Sequence, residues 1–281
     1  MLWDRQKQIY FEEKVFGDLG VRCLYGPWGR WIERVLSLPF FSSLMGYFFS
    51  HRLSQKKIKP FIKQYNINES WYEPHSYSNF NEFFIRRFRP GVRSFAPLPY
   101  FPSIAEGRLS VYESESSFLV KGVSFRISDL IQMGGFDRHQ ILVFRLCPVD
   151  YHRYHYPDAG RTVCSVHISG RFHSVNPLSI KRYPDVFTRN ERRIAVLETE
   201  HGGSMAFIEV GAMGVGKIVQ TYNERQQFNC GEEKGYFLFG ASTVVLLIDS
   251  KKIKIDADLF EKSQAGIETL VTLGSSIGIY L

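Results

Sequence analysis

From about residue 102 onward, the apolar residues come in short runs separated by Gly, Pro, Asn and Asp. Such runs, rich in β-branched and aromatic residues and bounded by turn formers, predict strands. They cover residues 118–121, 140–146, 162–168, 193–199, 205–210 and 217–222, and 244–248 reads as a further core strand. Before residue 102 the pattern is helical. Phe80, Phe83, Phe84 and Phe88 recur at helical spacing behind Ser78, so a helix capped at Ser78 and ending before Pro90 is expected. The fold class is therefore α+β, with N-terminal helices in residues 1–100 followed by a mostly antiparallel β core in residues 101–281.

Residues 35–50 are uncharged, but a membrane span needs roughly 20 apolar residues and this run contains Pro39 and several serines. It is too short to cross. Trp28, Arg30, Trp31 and Arg34 precede it, and His51, Arg52, Lys56, Lys57, Lys59 and Lys63 follow. Aromatic and cationic flanks around an apolar centre suit a segment lying in a bilayer interface. Packing on the protein's own core is the competing reading, and part of the apolar face is expected to do so. Arg86, Arg87, Arg89 and Arg93 form either a phosphate-binding cluster or a solvated basic face.

A chain of 281 residues with 44% hydrophobic residues is globular. Its net charge of +7 favours anionic partners without choosing among nucleic acid, acidic lipid and acidic substrate. Cys23, Cys147, Cys164 and Cys230 show no CxxC spacing, which points to a reducing compartment and away from zinc. The start of the chain has mixed charge and no early apolar run, so no cleaved signal peptide is expected. Gly211 to Gly216 lies between two strand patterns and lacks a Lys-Ser/Thr ending, so it reads as a tight turn and not as a phosphate loop.

The chemistry concentrates where Gly240-Ala241-Ser242-Thr243 interrupts the strand pattern of residues 235–248. Small residues let the backbone turn sharply and leave a serine hydroxyl close to the preceding carbonyl, where a histidine can activate it. An ordinary β-bulge would use the same residues. His152 and His155 lie upstream in Asp150-Tyr-His-Arg-Tyr-His155. They would face opposite sides of a strand, or one pocket if the segment were a turn. Asp150 is read mainly as a turn cap, and His139, His167 and His173 as structural.

Five motifs in order carry a resemblance: Asp150-Tyr-His-Arg-Tyr-His-Tyr-Pro157, Ser174-Val-Asn-Pro177, Asn190-Glu-Arg-Arg193, Val210-Gly-Ala-Met-Gly-Val-Gly216, and Gly231-Glu-Glu-Lys-Gly235 leading to Gly-Ala-Ser-Thr. From about Phe80 to Leu247 the chain resembles the phosphatidylserine decarboxylases. The resemblance implies a proenzyme that cuts itself between Ala241 and Ser242 into a large chain, 1–241, and a small chain, 242–281, and converts Ser242 into a covalent pyruvoyl cofactor. That group would form a Schiff base with phosphatidylserine and yield phosphatidylethanolamine, without pyridoxal phosphate or metal. It also implies His155 as the base for Ser242, Glu106 of Ala105-Glu106-Gly107 in place of the family's orienting Asp, His152 in decarboxylation, and Ser174 near the substrate. A peripheral position on the cytoplasmic face of the cell membrane and a homodimer are further implications, with no role for nucleic acid. The rivals are a non-catalytic homologue that binds anionic lipid, with Glu106 and Ala241 disabling the cut, and a pyruvoyl enzyme for soluble amino acids.

Overall fold

The computed structural model describes residues 1–12, 36–113, 118–120, 123–173, 186–212, 217–221, 227–240 and 242–281. In chain order the strands are β1 (Leu2–Asp4), β2 (Ile9–Phe11), β3 (Tyr100–Pro102), β4 (Gly107–Tyr112), β5 (Phe118–Val120), β6 (Val123–Phe125), β7 (Gln140–Leu146), β8 (Arg153–His155) and β9 (Gly160–Ile168). They continue with β10 (Arg192–Thr199), β11 (Gly203–Gly211), β12 (Ile218–Gln220), β13 (Gln227–Phe228), β14 (Glu233–Phe237), β15 (Ser242–Ile248), β16 (Ile253–Ile255), β17 (Glu268–Val271) and β18 (Ser276–Tyr280).

Ten strands form one large sheet in the order β13-β9-β10-β11-β15-β7-β4-β17-β1-β2. Every pairing in it is antiparallel except β1 with β17. β15 runs through its middle, flanked by β11 and β7, and all seven of its residues are buried. A strand covered on both faces has no solvent side to show, which is why its sequence is a continuous apolar run and does not alternate. A second sheet, β12-β14-β8, packs on one face of the first, and a third has the order β16-β18-β3. The contact between the first two is visible in Tyr154 of β8, whose ring centroid lies 5.7 Å from that of Phe207 on β11.

Before residue 102 the architecture differs from the sequence reading in two places. Residues 1–100 are not helical throughout: β1 and β2 extend the large sheet from the N-terminus, pinned by Arg5, which reaches Asp256 and Asp258 at 2.6 and 2.7 Å. The aromatic helix is also shorter than its periodicity implies, covering only Phe80–Phe84. Asn79, not Ser78, is its cap, accepting from the Glu82 amide at 3.0 Å while Glu82 returns to the Ser78 amide at 2.7 Å. The chain then leaves the helix because Phe88 bridges and stacks on Tyr72, with ring centroids 5.0 Å apart, a tertiary pairing that outweighs the helical period.

The helices Pro39–Ser50 and Ile58–Tyr65 pack beside this element. Phe61, Phe80, Phe83, Phe84 and Phe239 make an aromatic cluster with Phe49, and Phe239 belongs to the segment leading into β15. The N-terminal helices are thus seated against the chain immediately upstream of Ser242. No helix among the described residues is long and apolar enough to cross a membrane. Residues 213–216 of the expected glycine turn lie outside the described residues.

Candidate active site

Ser242 opens β15 directly across from Gly211 of β11 and Leu146 of β7. Paired residues project to the same face of a sheet, and residues two apart along a strand do so as well. Ser242 therefore shares its face with Phe207, Glu209 and Gly211, and that face looks toward the β12-β14-β8 sheet. The Ser242 hydroxyl is fully buried and has no hydrogen-bond partner among the described residues. Just upstream, Gly240 has φ 147°, inside the region that favours glycine, so the backbone turns there at little steric cost. Ala241 and Ser174 lie outside the described residues.

His152 precedes β8, and its carbonyl accepts the Phe237 amide at 3.0 Å, which aligns it with the end of β14. Its ring is fully buried, 3.9 Å from the ring of Phe84, with Nδ1 3.0 Å from the Asp150 carbonyl. Burial pushes this imidazole down to about 3; the backbone of Asp150 and of Gly240 act in the opposite direction and are outweighed. His152 is thus the histidine that meets the backbone leading to Ser242.

His155 lies in strand conformation at the end of β8, paired with Glu233 and tied through its amide to the Ile104 carbonyl at 2.9 Å. Its ring faces Phe95 and Tyr151, with centroids at 5.7 and 6.2 Å. Burial, reinforced by Arg153 and Arg87, pushes it down to about 4. Both imidazoles are consequently neutral near pH 7, and His152 Nε2 and His155 Nδ1 have no partner among the described residues. The two rings sit among different side chains, as the alternation of an extended segment requires, and neither is hydrogen-bonded to Ser242.

Glu106 does not orient His155 in this geometry. Its two oxygens accept from Arg93 at 2.6 and 2.9 Å, and one also takes the Leu273 amide at 3.3 Å. The Arg93 guanidinium binds this carboxylate through two parallel bonds. Arg93 is held in turn over the rings of Phe88 and Trp71, at 4.5 and 5.0 Å.

Asp150 has the structural role expected of it. Its carboxylate pairs with Arg108 and accepts the Cys147 amide at 2.6 Å, fixing the turn that delivers His152. The basic cluster is mostly committed: Arg86 donates to the Val149 and Asp150 carbonyls, Arg89 to the Tyr72 carbonyl, and Arg93 to Glu106. Arg87, 3.7 Å from Glu233, retains a side chain more than half exposed.

Two buried polar groupings beside the site escaped the sequence reading. Asn81 is buried, accepts the Phe239 amide at 2.8 Å and donates to Ser50 Oγ and the Gly46 carbonyl at 2.9 and 3.2 Å. It links the Pro39–Ser50 helix to the segment ahead of Ser242. Lys234 and Glu209 form a fully buried ion pair. The available signals were an amide inside an otherwise aromatic helix and a lone lysine in a strand pattern.

The family model described as "Phosphatidylserine decarboxylase" matches residues 80–279. Relatives named phosphatidylserine decarboxylase proenzyme include one from Desulfitobacterium hafniense, 37% identical over 289 residues, covering 99% of this chain and 97% of the relative. Others come from Ruminiclostridium cellulolyticum, 35% identical with 99% and 96% covered, and Clostridium novyi, 36% identical with 100% and 99% covered.

Proposed function

Because the chain belongs to the phosphatidylserine decarboxylase family, we propose that it is a proenzyme cut between Ala241 and Ser242 that decarboxylates phosphatidylserine to phosphatidylethanolamine. The observation that carries the reading is the fully buried Ser242 hydroxyl, partnerless among the described residues, at a strand start preceded by a glycine at φ 147°. Buried polar groups are normally satisfied, and this hydroxyl has no hydrogen bond among the described residues to give up before it reacts.

In the cut, Ser242 Oγ adds to the Ala241 carbonyl and the amide becomes an ester, with the nitrogen of residue 242 freed as an amine. Elimination breaks the Cβ–O bond and expels the Ala241 carboxylate, leaving a dehydroalanine whose hydrolysis consumes one water and releases one ammonia. The residues present fit the pyruvoyl group that results, because Ser242 supplies all its carbons and has no competing hydrogen bond among the described residues to break. Once formed, its carbonyl supplies an electron sink for loss of carbon dioxide from an amine substrate.

His155, neutral and with Nδ1 open, takes the Ser242 proton. Reaching Ser242 requires local movement, since the two are not bonded in the structure. Orientation of His155 by Glu106 requires the carboxylate to leave Arg93. His152, against the Gly240 backbone, positions the reacting segment and the substrate for decarboxylation. Ser174 contacts the substrate headgroup.

The Pro39–Ser50 helix docks the protein on the cytoplasmic face of the membrane as a peripheral protein. Phe40, Leu44, Tyr47 and Phe48 are exposed, while Phe49 of the same helix packs on Phe239 at 4.0 Å. An apolar surface on one side and a core contact on the other suit a helix lying at an interface. Intact-mass measurement tests the whole reading. The purified protein should give two chains, the small one starting at residue 242 and lighter than its encoded mass by one ammonia. A single uncut chain that still binds anionic vesicles would replace the enzyme with a lipid-binding homologue.

A further inference from the structure

We propose that the buried Lys234–Glu209 pair is a clamp that holds the two sides of the Ala241–Ser242 bond in register. The inference rests on the cut being at that bond. Lys234 lies on β14, which ends at Phe237, three residues before Gly240 on the N-side of the bond. Glu209 lies on β11, the strand that pairs with β15 on the C-side, with Glu209 opposite Val244 and Gly211 opposite Ser242. Diagonal neighbours across a ladder are about 7–8 Å apart, so Glu209 stands one step from Ser242 on the same face. The ion pair spans the gap between the two sheets and fastens the strand before the cut to the strand beside the residue after it.

The surroundings are built for this contact. Both side chains have zero exposure. Lys234 Nζ also donates to Gln220 Oε1 of β12 at 3.0 Å and lies 4.8 Å from the ring of Phe207. Lys234 falls at the irregularity where β14 pairs Glu233 with His155 and then Gly235 with Tyr154, so the extra residue turns its side chain inward. One oxygen of Glu209 has no partner among the described residues. Taking two charges out of water is costly, and apolar residues of similar size often serve stability equally well, so the pair is better explained by geometry than by stability. A clamp is needed where backbone strain must be held by the surroundings until the bond reacts.

The test is the rate of self-cutting in freshly refolded precursor, followed by intact mass. The relocation variant Glu209→Gln with Gln220→Glu keeps one ammonium and one carboxylate in the cluster but moves the charge tie from β11 to β12. It should fold with a thermal midpoint close to that of the native chain yet cut at least tenfold more slowly. The apolar variant Glu209→Leu with Lys234→Met should likewise fold and cut slowly, and Lys234→Met alone should slow cutting at least as much. Cutting at the native rate in either double variant would overturn the clamp. If the apolar variant does not fold, the charge-balanced relocation variant decides the matter, and its failure to fold would also overturn the proposal by making the pair a stability element. A native chain left uncut at 241–242 would instead sink the underlying reading, so the two failures are distinguishable.

Discussion

Replacing Asn81 with Leu should loosen the Pro39–Ser50 helix from the segment ahead of Ser242. The Phe239 amide, which now donates to Asn81 Oδ1 at 2.8 Å, would be left buried and unsatisfied, at a cost of about 1–3 kcal/mol. The bonds to Ser50 Oγ and the Gly46 carbonyl, at 2.9 and 3.2 Å, would also be lost, at about 0.5–1.5 kcal/mol each. Leu restores some apolar contact with the Phe80 and Phe84 cluster, which offsets roughly 1 kcal/mol. The net loss is about 3 kcal/mol, which for a domain of this size lowers the thermal midpoint by roughly 6 °C. The measurement belongs in a Ser242→Ala background, so that cutting does not confound unfolding, with limited proteolysis reporting whether residues 39–50 are released first. A midpoint within 1 °C of the parent, with the helix as protected as before, would refute the assigned contacts.

His155→Ala should leave the precursor uncut or slow the cut by about 10²–10⁴-fold, and normal cutting in that variant, judged by intact mass, would transfer the base role to His152. Acid should destabilise the fold through these same two rings. Both have folded-state values near 3 and 4 against 6.5 when unfolded, so the unfolded chain binds more protons and stability falls as pH drops from about 6.5 toward 4, by up to about 3 kcal/mol per pH unit. Urea midpoints across that window, in Ser242→Ala protein, should become markedly less pH-dependent on adding His152→Gln. Gly235→Ala should cost about 2 kcal/mol or more in a thermal melt, because the new methyl would stand 2.4 Å from the Val219 carbonyl oxygen and 2.6 Å from the Tyr154 hydroxyl.

Sequence alone fixed the class of the fold and the family, because both depend on local or linear information. Short β-branched runs between turn formers announce antiparallel strands wherever they pair, and β7, β9, β10, β11, β14 and β15 all fall on or near the expected residues. The motif order singled out Ser242 in a break of the strand pattern and His152 and His155 about ninety residues upstream, without any knowledge of which strands are neighbours. The structure puts Ser242 at the start of β15 and His155 at the end of β8. Asp150 read correctly as a turn cap because capping is a contact between residues close in sequence.

What the sequence could not convey depends on contacts between residues far apart. The helix at Phe80–Phe84 stops early because Phe88 finds Tyr72, and β1 belongs to the large sheet because β17, more than 260 residues later, offers an edge. That Glu106 accepts from Arg93 depends on two residues thirteen apart being brought together by the fold. The inward turn of Lys234 toward Glu209 follows from packing one sheet on another. Periodicity and motif are written along the chain, but the partner of a buried charge is chosen only when the layers close, since only then does leaving it unpaired carry a cost.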